Sequence, residues 1–389
     1  MLVPLQYGDS MEKIILIEVE NIEKYPPVIS VLNCLCEIRK YELVLITVNP
    51  SNNIREYCEN NNVKLYVIEE NRIGTSLLSY ASKLINYRRI HKELWNHIMC
   101  EYNDDSIIWV FSVVTLKYLG RELTKYKYIL HLFELLENLS LFAKIPYPKV
   151  PIIDYCQKAY KVIECEYNRA HITQLWFGLE KKPVVLPNKL FMTEEPDYSN
   201  HISKKIYIKM EELKYKRIIL YQGIISDERP VEPFIEAVEN MDDLYHMVVL
   251  TGSKIPESWK TYKKLTVIPF IPAPFHLYLT QKAFIGLLCY YPSRKGYSYT
   301  SPLNSIYCAP NKIFEYSRYS VPMIGNDIPG LQYTIGLKKA GVCITSMDVK
   351  SIEKAICEIE KSYEEFCNNS NALYTSVDVK KIIDEDILN

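Results

Sequence analysis

Three polar side chains that could bind a phosphate and a sugar are concentrated in residues 308–316. Pro310 suits the first position of a helix, because proline lacks the N–H group that this position does not need. Asn311, Lys312 and Glu315 would then lie on neighbouring parts of one helix face. A helix start with a lysine attracts a phosphate, and a carboxylate one turn deeper can accept hydrogen bonds from sugar hydroxyls. The alternative is a capped surface helix with an ion pair.

A second set of residues with similar chemistry follows a predicted strand in the same half of the chain. Gly223 ends that strand, and Arg229 immediately precedes a helix predicted over 230–240. If both helix starts face one cleft, Arg229 and Lys312 would clamp a diphosphate between them. The alternative for Arg229 is a surface charge beside the preceding glutamate.

His131 and Glu134 are the candidates in the first half of the chain. They lie where a strand predicted over 127–132 gives way to a loop. Ligands of open α/β sheets bind at the carboxyl ends of the strands, so both side chains are expected near a substrate. A carboxylate there would act as a general base or bind a sugar hydroxyl.

The elements that must position these side chains alternate between apolar strands and amphipathic helices. The predicted strands cover residues 13–19, 42–48, 63–68, 106–112, 127–132, 160–164 and 183–186, then 217–222, 246–251, 264–269, 283–288, 321–325 and 341–344. The predicted helices cover residues 28–40, 51–61, 74–100, 114–124, 151–158, 166–175, 230–240, 275–282, 310–319 and 348–368. This alternation predicts α/β units with parallel sheets and right-handed crossovers.

The length of 389 residues exceeds one ordinary core and predicts two domains. A polar, irregular stretch over 193–204 marks the linker. We therefore expect a first domain over 1–195 and a second over 205–375, with a helix over 376–389 that could pack back on the first. The loop over 289–310 is longer than the roughly 12–15 residues usual in compact domains, which favours a functional role.

Composition excludes several classes of protein. The apolar fraction of 48% and charged fraction of 24% are typical of a globular protein, and the net charge of -1 gives no basis for nucleic-acid binding. The eleven scattered cysteines predict a reduced, cytoplasmic setting. The seven histidines show no metal-ligand spacing. There is no signal peptide in residues 1–10 and no dinucleotide, P-loop or Gly-x-Ser-x-Gly motif.

The long helix predicted over 74–100 has a cluster of basic residues. They are Lys83, Arg88, Arg89, His91 and Lys92. One interpretation is a solvated helix face, and the other is peripheral contact with an anionic membrane.

Several motifs resemble a known family. Residues 310–316 (PNKIFEY), 321–325 (VPMIG) and 327–330 (DIPG) look like the nucleotide-sugar motif of bacterial group 1, family 4-like glycosyltransferases, enzymes of capsular and other surface polysaccharide biosynthesis. Further similar segments are residues 221–223 with Arg229, residues 185–188, residues 131–135, and Glu166 with Arg169 and Ala170. The family has the GT-B fold, two Rossmann-like α/β/α domains that face each other across a cleft.

The resemblance implies an activity of the hexosyltransferase type (EC 2.4), retention of configuration, and no bound metal or cofactor. Glu315 would bind the ribose of a nucleotide-diphosphate sugar, and Lys312 and Arg229 would hold the diphosphate. Gly223, Asn311 and Tyr307 would complete the donor site. His131 and Glu134 would contact the acceptor, a glycan or a polyprenyl-linked glycan. The expected location is the cytoplasm, at the inner face of the cell membrane if the contact is peripheral.

The chain departs from the family pattern at three places. Many members carry two glutamates eight residues apart, and Tyr307 replaces the first of them, although Asn304 and Tyr307 fit a known variant. Ile224 stands where the family has an arginine, and Arg229 with Pro230 replaces a Lys-Gly pair. These departures keep open a non-catalytic GT-B subunit that binds a glycan or a partner transferase. A nucleotide-sugar epimerase is the other alternative, but it would need acid/base carboxylates and histidines around the donor sugar, and the second half of the sequence shows no dense set of them.

Overall fold

The computed structural model describes residues 12–69, 79–136, 139–140, 149–291 and 303–389. These residues form two successive α/β units, each built on a parallel sheet. Both units are flanked by helices, as the alternating sequence pattern predicts.

The first unit contains a seven-stranded sheet. The strands of this half are β1 (Lys13–Glu18), β2 (Glu42–Val48), β3 (Lys64–Ile68), β4 (Ser106–Phe111), β5 (Tyr128–His131), β6 (Leu139–Ser140), β7 (Lys149–Val150), β8 (Lys161–Glu164) and β9 (Val184–Val185). The sheet order is β3-β2-β1-β4-β5-β8-β9, and β6 and β7 form a separate antiparallel pair. The helices are α1 (Pro26–Ile38), α2 (Asn52–Asn60), α3 (Ser79–Glu101), α4 (Ser112–Leu119), α5 (Ile152–Lys158) and α6 (Tyr167–Phe177).

The second unit contains a six-stranded sheet. Its strands are β10 (Arg217–Gln222), β11 (Tyr245–Thr251), β12 (Leu265–Pro269), β13 (Ile285–Leu288), β14 (Met323–Asn326) and β15 (Gly341–Ile344), in the order β12-β11-β10-β13-β14-β15. The helices of this half are α7 (Lys204–Glu212), α8 (Glu232–Asn240), α9 (Leu277–Thr280), α10 (Leu303–Ile306), α11 (Lys312–Arg318), α12 (Pro329–Leu331), α13 (Val349–Lys361), α14 (Tyr363–Thr375) and α15 (Val379–Lys381). A π-helical turn over Ile382–Leu388 follows.

The central strands are buried on both faces, which explains their continuous apolar sequences. The four residues of β1 from Ile14 to Ile17 are all fully buried. Strand β1 pairs with β2 on one side and with β4 on the other, so the strand order reverses there. In the second sheet β10 has the same place between β11 and β13. Ligands of α/β sheets bind beyond the carboxyl ends of the strands at such points.

The end of the chain packs on the first unit. Val379, Ile383 and Ile387 are buried in the same apolar cluster as residues of β1 and α1. Lys40 forms an ion pair with Asp384 at 2.7 Å, and the Nζ of Lys161 donates to the carbonyl of Asp386 at 3.0 Å. The two units are therefore connected twice, once by the linker and once by this return.

Helix α7 is absent from the predicted elements. It begins after Ser203, whose side chain caps it, and its apolar Met210 is buried against the second unit. The helix is only nine residues long and mostly polar, so its short apolar stripe gives no clear helical signal in the sequence.

The helix predicted over 348–368 is two helices. The chain bends at Ser362, between α13 and α14. The ring of Tyr363 stacks on Phe284 at 4.3 Å and its hydroxyl donates to the Phe284 carbonyl at 3.1 Å. This long-range contact, which sequence periodicity does not reveal, holds the start of the second helix.

No helix in the described parts of the chain is long and apolar enough to cross a membrane. In the basic cluster on α3, Arg89 pairs with Glu93 at 2.7 Å, and a ring nitrogen of His91 lies 2.6 Å from the carbonyl of Tyr118. Arg88 and Lys92 are exposed. The side chain of Lys83 lies outside the described residues.

Candidate functional site

A cleft of about 940 Å³ lies between the two units. Its second-unit lining comes from the loops after β10, β11 and β12, together with the start of α11. Its first-unit lining comes from the start of α1 and the segment after β5. The cleft therefore collects the carboxyl ends of both sheets, where ligands of such sheets bind.

Glu315 on α11 is the central carboxylate of the second-unit wall. Its side chain is only 12% exposed. The Nε2 of Gln222 donates to its Oε2 at 2.5 Å, and the Nε2 of His276 lies 3.3 Å from its Oε1. The Oε1 of Gln222 in turn accepts the hydroxyl of Thr280 at 3.1 Å. This network fixes the carboxylate while each oxygen keeps a lone pair for a ligand hydroxyl.

Glu315 is ionised in this environment. Burial alone would raise the pKa of the carboxyl group, but the charges of His276 and Lys312 and the hydrogen bonds from His276 and Gln222 lower this pKa below its ordinary value. A buried carboxylate held in its charged form is a strong acceptor for hydroxyl groups.

Lys312 and Arg229 both lie close to the ring of Tyr290. The Nζ of Lys312 is 3.1 Å from the hydroxyl of Tyr290 and 5.2 Å from the centre of its ring, and the guanidinium carbon of Arg229 is also 5.2 Å from that centre. Among the residues that the structure describes, neither cation forms an ion pair with a carboxylate. Two neighbouring half-buried cations of this kind favour an anionic ligand.

Gly223 allows the chain to turn beside Lys312. Its φ of +139° is a conformation that residues with side chains rarely adopt. A Cβ atom at this position would lie 3.1 Å from both the Cε and the Nζ of Lys312. The strand-end turn and the lysine therefore fit closely together.

Arg229 occupies a different local structure from the predicted helix start. Its N–H donates to the carbonyl of Ser226 at 2.8 Å in a tight turn, and α8 begins three residues later at Glu232. Helix α11 likewise begins at Lys312, two residues after Pro310. Both cations reach the cleft from these turns. The positive charge of the site therefore comes from the two side chains and not from the predicted helix starts at 230 and 310.

Arg169 and Asn188 of the first unit hold the segment that precedes α11. Arg169 is buried, and its Nε donates to the carbonyl of Tyr307 at 2.6 Å. One terminal nitrogen donates to the carbonyl of Phe133 at 2.9 Å, and the other to that of Asn304 at 3.0 Å. The amide of Asn188 donates to the carbonyl of Ala309 at 2.8 Å. Position and orientation of α11 thus depend on first-unit side chains.

Glu134 is exposed and lines the cleft, and its contact with a substrate stays a prediction. Its Oε2 accepts a hydrogen bond from the Nδ2 of Asn304, whose Oδ1 accepts from the N–H of Leu135 at 3.0 Å. The carboxylate is therefore tied to the second unit.

His131 does not reach the cleft, which corrects its expected contact with an acceptor. The side chain is fully buried among Trp109, Phe111 and Phe133, and neither ring nitrogen has a hydrogen-bond partner in the described structure. Burial lowers the pKa of the imidazole to about 3, so the ring is neutral at physiological pH. His131 does lie at the end of a strand, as the sequence predicts, but its side chain points into the core.

Asn311 and Tyr307, the other predicted site residues, differ in their position relative to the cleft, and Ile224 is one of the departures from the family pattern. Asn311 lines the cleft beside Lys312, and its side chain makes no capping hydrogen bond. Tyr307 does not line the cleft, and it contributes its carbonyl to Arg169. Ile224, 62% exposed, lines the cleft after Gly223.

Sequence reasoning missed Gln222, His276 and Thr280. Of these three, only Gln222 carries a signal in the sequence, because a polar residue at the end of an apolar strand suggests a site. Its partner Glu315 lies 93 positions away, so no local pattern could connect them. No group of three or more His, Cys, Asp or Glu side chains in the described residues is arranged to hold a metal ion.

Comparison with known proteins gives structural likeness alone. No protein-family model and no curated protein sequence matches the chain. The chain is similar to Anabaena HepE in complex with UDP, with 9% identity, coverage of 96% of this chain and 98% of that one, and a TM-score of 0.61. It is also similar to a glycosyltransferase from Rickettsia africae, with 14% identity, 97% and 100% coverage and a TM-score of 0.60.

A third similar structure belongs to a protein described with a different activity. It is a putative UDP-N-acetylglucosamine 2-epimerase from Listeria monocytogenes, with 12% identity, 93% and 91% coverage and a TM-score of 0.58. At these identities the likeness shows the fold, and the chain has the GT-B fold that its sequence predicted. The fold is shared by transferases and at least one protein described as an epimerase, so activity must be argued from the site.

Proposed function

We propose that this protein is a glycosyltransferase that moves a sugar from a nucleoside diphosphate sugar to a glycan acceptor. One observation carries the proposal: a fixed, ionised carboxylate, Glu315, shares a cleft wall with two cations, Lys312 and Arg229, that form no ion pair with any described carboxylate. A ribose needs acceptors for its hydroxyls, and a diphosphate needs cations. The wall offers both within one site.

The two cations have a direct role in the proposed reaction. Cleavage of the bond between the sugar and the diphosphate leaves a nucleoside diphosphate with additional negative charge. Lys312 and Arg229 would stabilise that charge as it develops, which lowers the barrier to transfer. Because these side chains supply the positive charge, we propose that transfer proceeds without a bound metal ion, and we expect activity to survive EDTA.

Uridine is the first base to test. Two Anabaena HepE structures similar to this chain contain UDP, one with glucose beside it. We propose a UDP-hexose as donor on this basis, which makes the activity a hexosyl transfer.

Retention of configuration is our proposal for the stereochemistry. An inverting displacement needs a base at the attacking hydroxyl. Glu134 already accepts a hydrogen bond from Asn304, and His131 is buried away from the cleft. With His131 out of reach and Glu134 in a hydrogen bond with Asn304, we favour attack on the face of the leaving group, where the departing diphosphate oxygen accepts the proton of the acceptor hydroxyl.

Two further parts of the proposal concern the acceptor and location. We propose that the acceptor is a glycan of a surface polysaccharide, carried on a polyprenyl lipid, and that the protein works in the cytoplasm at the inner membrane face. Arg88 and Lys92, exposed on α3, would contact anionic lipid. Co-sedimentation with anionic vesicles at low salt should weaken in an Arg88→Glu/Lys92→Glu variant, and equal sedimentation of both proteins would refute this contact.

Two observations keep other functions in view. The similar Listeria structure is described as an epimerase, so epimerisation of the donor sugar is the second candidate. Ile224 faces the cleft where the resembling family has an arginine, which reduces the positive charge and favours a binding subunit without turnover.

The test combines nucleotide binding with donor turnover. Thermal shift with UDP, GDP and ADP should reveal stabilisation by one of them, and Glu315→Gln and Lys312→Met should each remove it. Glu257→Gln and Lys260→Met, on an exposed turn, are matched controls that should retain it. Stabilisation of the wild type by none of the nucleotides would reject the proposal.

NMR of the donor then distinguishes the candidate activities. A new glycosidic bond or slow donor hydrolysis indicates transfer, and the anomeric signal of the product reports retention or inversion. A changed donor sugar with an intact diphosphate bond indicates epimerisation. Nucleotide binding with neither reaction indicates a binding subunit.

A further inference from the structure

Two aromatic rings form part of the first-unit wall of the cleft. Tyr25 lies just before α1, and Phe133 lies two residues after β5. Their ring centres are 5.7 Å apart and their planes differ by 19°, so the rings stack. Both side chains are half-buried and line the cleft. We call these two residues the aromatic wall.

The aromatic wall is held in place from behind. Phe133 stacks on Phe111 at 6.2 Å and meets the edge of His131 at 4.8 Å. The hydroxyl of Tyr25 donates to the Oε2 of Glu20 at 2.6 Å. Rings fixed in this way lose little conformational freedom when a ligand packs on them. This arrangement also gives buried His131 a structural role, as part of the support for Phe133.

Carboxylates flank the aromatic wall. Glu23 and Glu134 both line the cleft beside it. The buried guanidinium of Arg169 donates to three backbone carbonyls. Among the described lining residues, the other cations are Arg229 and Lys312, which belong to the second-unit wall. The described first-unit wall thus offers aromatic faces and acceptors to a ligand, but no uncommitted cation.

We propose that the aromatic wall binds an uncharged sugar ring of the acceptor. This inference rests on the proposed function and extends it by assigning the acceptor subsite and the chemical class of its ligand. The C–H face of a sugar ring packs on an aromatic face, and its hydroxyls donate to the flanking carboxylates. A sugar phosphate placed here would face Glu23 and Glu134, and like charges in a cleft repel.

Saturation-transfer difference NMR tests the proposal without need for the natural acceptor. The probes are methyl α-glucoside and methyl β-galactoside as neutral sugars and glucose 6-phosphate as the charged counterpart, each with UDP present. The wild type should saturate the ring protons of a neutral glycoside and leave glucose 6-phosphate at background. Phe133→Leu keeps apolar volume but removes the ring, so it should weaken the glycoside signal about 3- to 10-fold.

Matched variants separate the aromatic wall from general effects. Tyr215→Leu removes a tyrosine that is 81% exposed and absent from the cleft lining, and it should leave the signal unchanged. Tyr25→Leu should reduce the signal as Phe133→Leu does, which keeps the test valid if one variant folds poorly. The saturation-transfer signals of UDP in the same sample report binding at the donor site. A variant that no longer binds UDP is thereby distinguished from one that no longer binds the sugar.

Three results would overturn the inference. They are no saturation of either neutral glycoside by the wild type, equal glycoside signals in the wild type and both wall variants, and saturation of glucose 6-phosphate equal to that of the glycosides. The absence of UDP signals with the wild type would contradict the proposed function and not this inference.

Discussion

Glu315 and Glu18 show how two buried carboxyl groups differ because of their partners. Glu315 has His276, Lys312 and Gln222 around it and is held ionised. Glu18, fully buried at the end of β1, forms no ion pair among the described residues, and its Oε2 has no hydrogen-bond partner there. Burial raises the pKa of Glu18 to about 8. The first carboxyl is ionised and lines the cleft, and the second is buried and neutral at pH 7.

The raised pKa of Glu18 predicts a pH-dependent stability. The unfolded chain releases this proton near the ordinary value of 4.5, whereas the folded chain keeps it up to about pH 8. Folding therefore binds a proton in this window, and the free energy of unfolding falls by up to about 1.4 kcal/mol per pH unit as pH rises from 5 to 8. Glu18→Gln removes this contribution. Urea unfolding of both proteins at pH 5.5, 6.5 and 7.5 should show the variant gaining stability relative to the wild type as pH rises; a constant difference would contradict this assignment.

His276 predicts a second pH effect, on nucleotide binding. The variant His276→Ala lacks the group that contributes most to lowering the pKa of Glu315. The carboxyl then protonates at a higher pH than in the wild type, so nucleotide affinity should begin to fall at a higher pH. Calorimetric titration with UDP from pH 7.5 to pH 5 measures this. Coincident pH profiles for the two proteins would show that His276 does not tune Glu315.

At the scale of elements, the positions of strands were predictable and the contacts between distant segments were not. Buried strands such as β1 and β4 are continuous apolar runs, and sequence alone marks them. Helix α11 begins two residues after its predicted start. The segment before it is held by bonds from Arg169 and Asn188, which lie more than 100 residues away and leave no local pattern. Sequence reasoning found Lys312 and Glu315 through their spacing, but it had no signal for the Gln222 and His276 bonds that orient them.

Arg169 predicts a coupling between the two cleft walls. Arg169→Met would leave the carbonyls of Phe133, Asn304 and Tyr307 without this donor, at a cost of about 3 kcal/mol or more in stability. Because the segment before α11 loses its support, UDP affinity should also fall, by about 10-fold. Urea unfolding and calorimetry measure the two effects.

A destabilised control separates positioning from general loss of stability. Ile359→Ala on α13 removes fully buried apolar volume in the second unit, away from the cleft lining, at a cost of about 2–5 kcal/mol. It should keep wild-type UDP affinity at a temperature where it is folded. Equal UDP affinity in Arg169→Met and Ile359→Ala would show that Arg169 has a structural role only.

At the scale of the whole molecule, the GT-B expectation is confirmed by two parallel sheets and by likeness to solved GT-B structures. Alternating strands and helices with a polar linker predicted two α/β units with parallel sheets, and the resemblance of the motifs predicted the GT-B fold. The predicted domain limits and site roles remain predictions. What the whole molecule adds is the meeting of two walls, one with a fixed carboxylate and two cations, the other with aromatic rings and carboxylates. That combination suits a nucleotide sugar on one side and a neutral glycan on the other.

Calorimetric titration with uridine, UMP and UDP tests the central claim most directly. The account predicts that Glu315→Gln weakens all three ligands, because all three contain the ribose. Lys312→Met and Arg229→Met should each weaken UDP by about 10- to 100-fold, the loss of a charge-assisted hydrogen bond, and leave uridine unchanged. Wild-type affinity for UDP in the two cation variants, or for uridine in Glu315→Gln, would contradict the assignment of this cleft as a nucleotide-sugar site.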